Sequence, residues 1–168
     1  MRPSPKDSAE FYHNYINYTK GNSVKEIIAN HSKELHDFYT SLSGEKAEHA
    51  YATGKWTIKQ VLQHVIDAER VFTYRAMRIA RKDTTPLPGF DENSYAENDG
   101  NHNRTFQSLK DELTALRNAT DIMLSNLSDE QLNETGTASN ASITSNALCF
   151  ITYGHLLHHK RIIEERYL

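Results

Sequence analysis

Two histidines near the C-terminus, His155 and His159, stand four residues apart in the run Tyr153-Gly-His-Leu-Leu-His-His-Lys-Arg. On a helix both rings fall on one face, a turn apart, close enough to share one metal ion. At about 100° per residue, Leu148, Ile151, His155, His159 and Ile162 form a single stripe, so the rings lie where a bundle places its core. A buried imidazole without a partner costs about 1–3 kcal/mol, and the partner has to be found elsewhere in the chain. His64, at the flank of another apolar stripe, is the candidate, with Asp67 three residues on. Three neutral imidazoles suit a borderline divalent ion such as Zn²⁺, with Ni²⁺, Fe²⁺ and Mn²⁺ compatible. Three protein ligands leave a position open, the arrangement of a catalytic site rather than a closed structural one. Asp67 could accept a ring N–H or handle protons. An i,i+4 histidine pair is weak evidence by itself, and hydrogen-bonded core or surface histidines are the competing reading; the apolar stripe brings ligation level with it. His158 is placed beside the site as an alternative ligand. His13, His31, His36, His49 and His102 are read as surface or structural residues, and Glu69 is given no ligand role.

Four helices must position these groups. Ser23, with Glu26 three residues later, caps a first helix over about 24–42, whose apolar positions include Ile27, Leu35 and Tyr39. Thr57 and Gln60 open a second over 58–82, with Val61, Leu62, Val65, Ala68, Phe72, Ala76 and Ile79 on its buried side. A third spans about 104–126, with Phe106, Leu109, Leu113, Leu116, Ala119, Ile122, Met123 and Leu127 as its core line. A fourth runs from about 143 to 166. A short helix or cap is expected around Phe11–Ile16. Residues 83–103, broken by two prolines and two glycines, form a long connection between helices 2 and 3; such loops are uncommon unless functional. Residues 133–142 read as loop, and no strand alternation stands out. The predicted fold is all-α, a four-helix bundle forming a single domain over 1–168.

Composition excludes several classes. The net charge of −3 and the absence of a basic stripe argue against nucleic acid. No run approaches a membrane span and no secretory leader is visible. A lone Cys149 excludes an internal disulfide and fits a reducing cytoplasm, with burial as a small apolar residue expected. No phosphate-binding loop, nucleophile elbow or paired-cysteine motif occurs. Arg70, Arg75, Arg78, Arg81 and Lys82 wrap around helix 2 and read as a solvated, salt-bridged surface. Trp56 reads as an anchor at the bundle end.

The run Gly54-Lys-Trp-Thr-Ile-Lys-Gln-Val-Leu-Gln-His64-Val-Ile-Asp67-Ala-Glu69-Arg70 resembles the second-helix signature of the DinB-like superfamily of four-helix bundles. Tyr74–Arg81, Leu87-Pro-Gly-Phe-Asp91 and Gly154-His-Leu-Leu-His-His159 match the same pattern, so the resemblance covers most of the chain. It implies a three-histidine metal site on His64, His155 and His159, the residues the helical reading selects. Members of that family include metal-dependent transferases and isomerases using a low-molecular-weight thiol such as bacillithiol or mycothiol; others carry only the name of metal-dependent hydrolases. No thiol-binding motif is recognised here. The expectation is a cytoplasmic metal-dependent enzyme, thiol S-transferase-like or hydrolase, acting on a small-molecule substrate, with Zn or Ni as the leading ions and a homodimer open. The alternative is a non-catalytic metal-binding bundle.

Overall fold

The computed structural model describes residues 1–100 and 103–168; His102 lies outside the described residues. Four long helices build the bundle: α2 (Val24–Ser41), α3 (Ile58–Ala80), α5 (Phe106–Ser125) and α7 (Ser145–Arg166). Three short ones accompany them, α1 (His13–Tyr18), α4 (Glu92–Glu97) and α6 (Asp129–Asn133). The starts follow side-chain capping. Thr57 and Gln60 form a reciprocal box, Ser23 accepts from the Glu26 amide, Thr105 from Ser108, and Thr144 from Ala147.

Going round the bundle, α2 packs on α5, α5 on α3, α3 on α7, and α7 on α2. The chain therefore takes diagonal steps from α2 to α3 and from α5 to α7. The long 83–103 connection joins neighbours, so its length is spent on something other than crossing the bundle.

Part of it pairs with a β-hairpin that no alternation in the sequence suggested. β1 (Thr135–Ala138) and β2 (Ala141–Thr144) pair antiparallel with Thr135 opposite Thr144 and Ala138 opposite Ala141. Ser139 and Asn140 turn the chain at φ of 50° and 62°, the left-handed region short side chains tolerate best. Leu87 lies against this hairpin, donating to it and accepting from it, with Leu87 N–H to Thr137 O at 2.9 Å and Ser139 N–H to Leu87 O at 3.0 Å. The hairpin thus pins the loop over the bundle.

α7 is buried on nearly every side from Ala147 to Leu156, because α1 covers the face the other long helices leave open. Gly154 makes that approach feasible. A Cβ there would stand 1.9 Å from the Tyr15 carbonyl oxygen, closer than any side chain permits. Arg2 holds α1 in place by donating to the carbonyls of Ile16 at 2.6 Å and Gly21 at 2.9 Å.

One core line differs from expectation. Ile122 is exposed, and Arg117 and Thr120 occupy the buried positions of α5 between Leu113 and Leu124. Polar groups take those places because Glu69 of α3 meets Arg117 there, at 3.0 Å. Cys149 is buried, as its helical position predicts. Among the described residues no helix is long and apolar enough to cross a membrane.

Candidate metal centre

α3 brings His64 and α7 brings His155 and His159 to one point between them. Each ring can offer one nitrogen so that the three atoms lie within 4.8 Å of one another. The rings themselves sit 4.5–4.9 Å apart, centroid to centroid. Nε2 of His64 faces Nε2 of His155 at 3.1 Å. Two nitrogens bound about 2.0–2.1 Å from one tetrahedral ion stand about 3.3 Å apart, so this pair already has the spacing of two ligands.

Electrostatics points the same way. Burial pushes His64 down to about 4, against a partial opposing pull from Glu92. His155 and His159 are held well below their ordinary value, by burial first and then by the neighbouring imidazoles. All three are neutral near pH 7, the form that ligates. Nδ1 of His159 is buried and finds no hydrogen-bond partner among the described residues. The donor set, its spacing and its protonation all fit a divalent ion.

The trio lies at the floor of a cavity of about 460 Å³. Phe11, Tyr12, Tyr15, Trp56, Phe72 and Phe90 supply most of the walls, and Arg75, Glu92 and Ser139 the polar positions. Gly154 matters here because its lack of a side chain seats Tyr15 against His155, ring to ring at 5.5 Å. His158 lies beside the trio, half-buried, 5.3 Å from the Tyr15 ring and 5.7 Å from Tyr18.

Several residues take places the sequence did not indicate. Trp56 packs 4.8 Å from the His64 ring and lines the cavity, so it is part of the site wall as well as an anchor. Arg75, read as a solvated surface charge, is only 2% exposed, because the pinned loop and the hairpin turn close over it. Arg70 and Arg78 do form the expected salt bridges, with Glu112 and Asp83. Asp67 takes a hydrogen bond from Gln63 Nε2 at 2.9 Å and lines a narrow recess with His64 and Glu92, outside the main cavity. Burial raises its carboxyl above the ordinary range. Glu92, the first residue of α4, stands at the mouth of the main cavity. No periodicity marks Glu92, Phe90 or Ser139. Of the remaining histidines, His31 is buried and accepts from the Lys20 amide at 2.8 Å, a structural role.

The DinB superfamily pattern matches residues 28–163 of the chain. A protein of Oceanobacillus iheyensis carrying the provisional name of a metal-dependent hydrolase is 29% identical over 70 residues. That match spans 41% of this chain and 40% of the relative's own length. Among solved structures, YfiT of Bacillus subtilis superposes with a TM-score of 0.71 at 19% identity, over 98% of this chain and 90% of that one. YfiT is described as a probable metal-dependent hydrolase with an unusual four-helix bundle topology. At that identity the likeness establishes the fold.

Proposed function

The chain belongs to the DinB superfamily, and from that premise we propose that it is a metal-dependent hydrolase of small molecules, with His64, His155 and His159 as the metal ligands. One observation carries the reading: three neutral imidazoles, His155 and His159 buried and His64 partly so, converge at the floor of an open cavity. A divalent ion held there supplies Lewis acidity and lowers the pKa of a water, or of a thiol, in the position that three protein ligands leave open. Zn²⁺ and Ni²⁺ head the candidates for that ion.

The chain's own residues supply the rest. Glu92, whose charge reaches His64 from the cavity mouth, accepts the proton released by the attacking nucleophile. Asp67 positions the site: it holds Gln63, whose Oε1 accepts from Arg104 at 3.1 Å, and this steadies the turn of α3 that carries His64. The aromatic walls exclude water and hold the apolar part of a substrate.

Elemental analysis of untagged protein tests the metal assignment. About one divalent ion per chain is expected, and it is lost in the His155→Ala/His159→Ala double variant. Assays of ester and amide hydrolysis by the loaded protein, with and without an added thiol, then separate hydrolase from thiol-transferase chemistry. If neither protein takes up Zn²⁺, Ni²⁺, Fe²⁺ or Mn²⁺, the catalytic reading fails and a scaffold or binding role replaces it.

A further inference from the structure

Among the described residues Arg75 is the one arginine in the cavity wall, and its surroundings are unusual for a buried cation. A charge taken out of water normally has an opposite charge beside it, since the cost of desolvation is several kcal/mol per ion. Among the described residues no carboxylate forms an ion pair with Arg75. Its Nη2 donates to the Pro88 carbonyl at 2.6 Å and to Ser139 Oγ at 3.2 Å. These contacts are to neutral atoms and use a single nitrogen. Among the described residues Nε and Nη1 find no hydrogen-bond acceptor, yet neither belongs to the sealed polar atoms that lack a partner. With the residue otherwise buried, what remains accessible of the guanidinium faces the cavity it lines.

The position along α3 gives the cavity two ends. Arg75 comes about three turns after His64, or about 16 Å along the axis, on the same side of the helix. Between them stands Phe72, its ring 5.5 Å from His155 and 6.3 Å from Tyr12. The cavity therefore runs from imidazoles, past aromatic rings, to a guanidinium without a counter-ion. Its lining carboxylate, Glu92, acts on His64 and so belongs to the imidazole end.

We propose that Arg75, with Ser139 beside it, is an anion-binding subsite, and that the cavity takes small molecules with an aromatic or apolar body and a carboxylate. The carboxylate accepts from an N–H that Pro88 and Ser139 leave unused, on Nη1 or on Nε, and pairs with the guanidinium charge. The aromatic body lies along Phe72 and Tyr12, and the reacting bond is left at the imidazoles. Supplying the missing counter-ion is what selects the substrate, because an uncharged analogue leaves the buried cation unpaired. This rests on the same cavity being the catalytic site, so the test reads binding without metal or turnover.

Trp56 is the sole tryptophan, and its contact with His64 makes its fluorescence a reporter of cavity occupancy. Chelator-treated protein is titrated with 3-phenylpropionate and with the neutral 3-phenylpropionamide. The wild type is expected to bind the acid at least about tenfold more tightly than the amide. Arg75→Met abolishes that preference. Arg75→Lys, which keeps the charge but loses the planar set of donors, retains part of it and serves if the methionine variant does not fold. In the His155→Ala/His159→Ala variant the preference persists, so failure of the metal site and failure of this subsite are told apart. Equal affinity for acid and amide, no saturable binding of the acid at millimolar concentration, or a preference unchanged in both Arg75 variants overturns the proposal.

Discussion

Helices α3 and α7 each bury polar side chains on two sides, and the two sets are resolved in opposite ways. On the side facing α5, Glu69 meets Arg117 at 3.0 Å, Arg117 also holds Asp121 at 2.5 Å, and Tyr153 and Ser32 donate to Asp121. The guanidinium carbon lies 4.5 Å over the Tyr153 ring. Burial works against the Arg117 charge, but Glu69, Tyr153 and Asp121 hold its pKa above the ordinary value. Every charge in that cluster has its opposite within the bundle. On the cavity side three imidazoles face one another and Arg75 faces neutral oxygens. The difference separates two kinds of cluster: the first is complete in charge without a ligand, although among the described residues Glu69 Oε2, Arg117 Nε and Thr120 Oγ1 lack a hydrogen bond, and the second leaves its imidazoles and its guanidinium without a counter-charge. Buried polarity alone does not mark a site. A buried cation or imidazole cluster lacking its counter-charge marks the candidate.

Removing a member of the complete cluster gives the largest effect. Arg117→Met leaves Glu69 and Asp121 without their cation and is expected to cost about 3–5 kcal/mol of stability in denaturant unfolding. The folded fraction should still bind one metal ion. The His155→Ala/His159→Ala variant should do the reverse, losing metal and keeping most of its metal-free stability. If Arg117→Met unfolds with wild-type midpoint and slope, the cluster is not what ties α5 to α3, and the contrast collapses.

The sequence makes one of these clusters far more legible than the other. His64, His155 and His159 are readable because their helices are long, their caps are strong, and an imidazole on an apolar stripe conflicts with burial. The same logic holds for Arg75, which sits three residues after Phe72 and four before Ile79, both on the buried side of α3. Its burial stays hidden because the segments that cover it, the loop through Pro88 and the turn at Ser139, are placed by long-range pairing. The hairpin itself is short, and Thr135-Gly-Thr-Ala and Ala-Ser-Ile-Thr144 offer only four residues a side around a Ser-Asn turn. Glu92, Phe90 and Trp56 reach the cavity from irregular chain or a helix of six residues, where periodicity carries no information. Arg117 and Thr120 displaced Ile122 from the expected core line for a related reason: a helix with several candidate faces is settled by the partner it meets.

Within the incomplete cluster the two nearby carboxylates should separate. Glu92→Gln is expected to lower kcat about 10²-fold, equivalent to about 2.7 kcal/mol, at unchanged metal content, because the group at the cavity mouth takes the proton. Asp67→Asn, in the recess behind His64, should cost less than about tenfold. The opposite ranking would transfer proton handling to Asp67 and make Glu92 a rim charge.

The smallest effect is a slope with pH, and its sign follows from burial. An imidazole in the unfolded chain titrates near 6.5, whereas His64 is held near 4 and His155 and His159 well below the ordinary value. Between those limits the unfolded chain binds more protons than the folded one, so stability rises with pH and falls on acidification. From pH 7 to 6 each such ring removes about 0.7 kcal/mol from the metal-free protein. His31, also lowered by burial, contributes in the same direction in every variant. Thermal or denaturant unfolding of chelator-treated wild type should therefore weaken over that interval by about 1.4 kcal/mol more than the His155→Ala/His159→Ala variant, which lacks two of the rings. Equal slopes in the two proteins would mean that these imidazoles gain a proton as easily folded as unfolded. The cavity floor would then be wet and self-satisfied, and the distinction between the two clusters would rest on Arg75 alone.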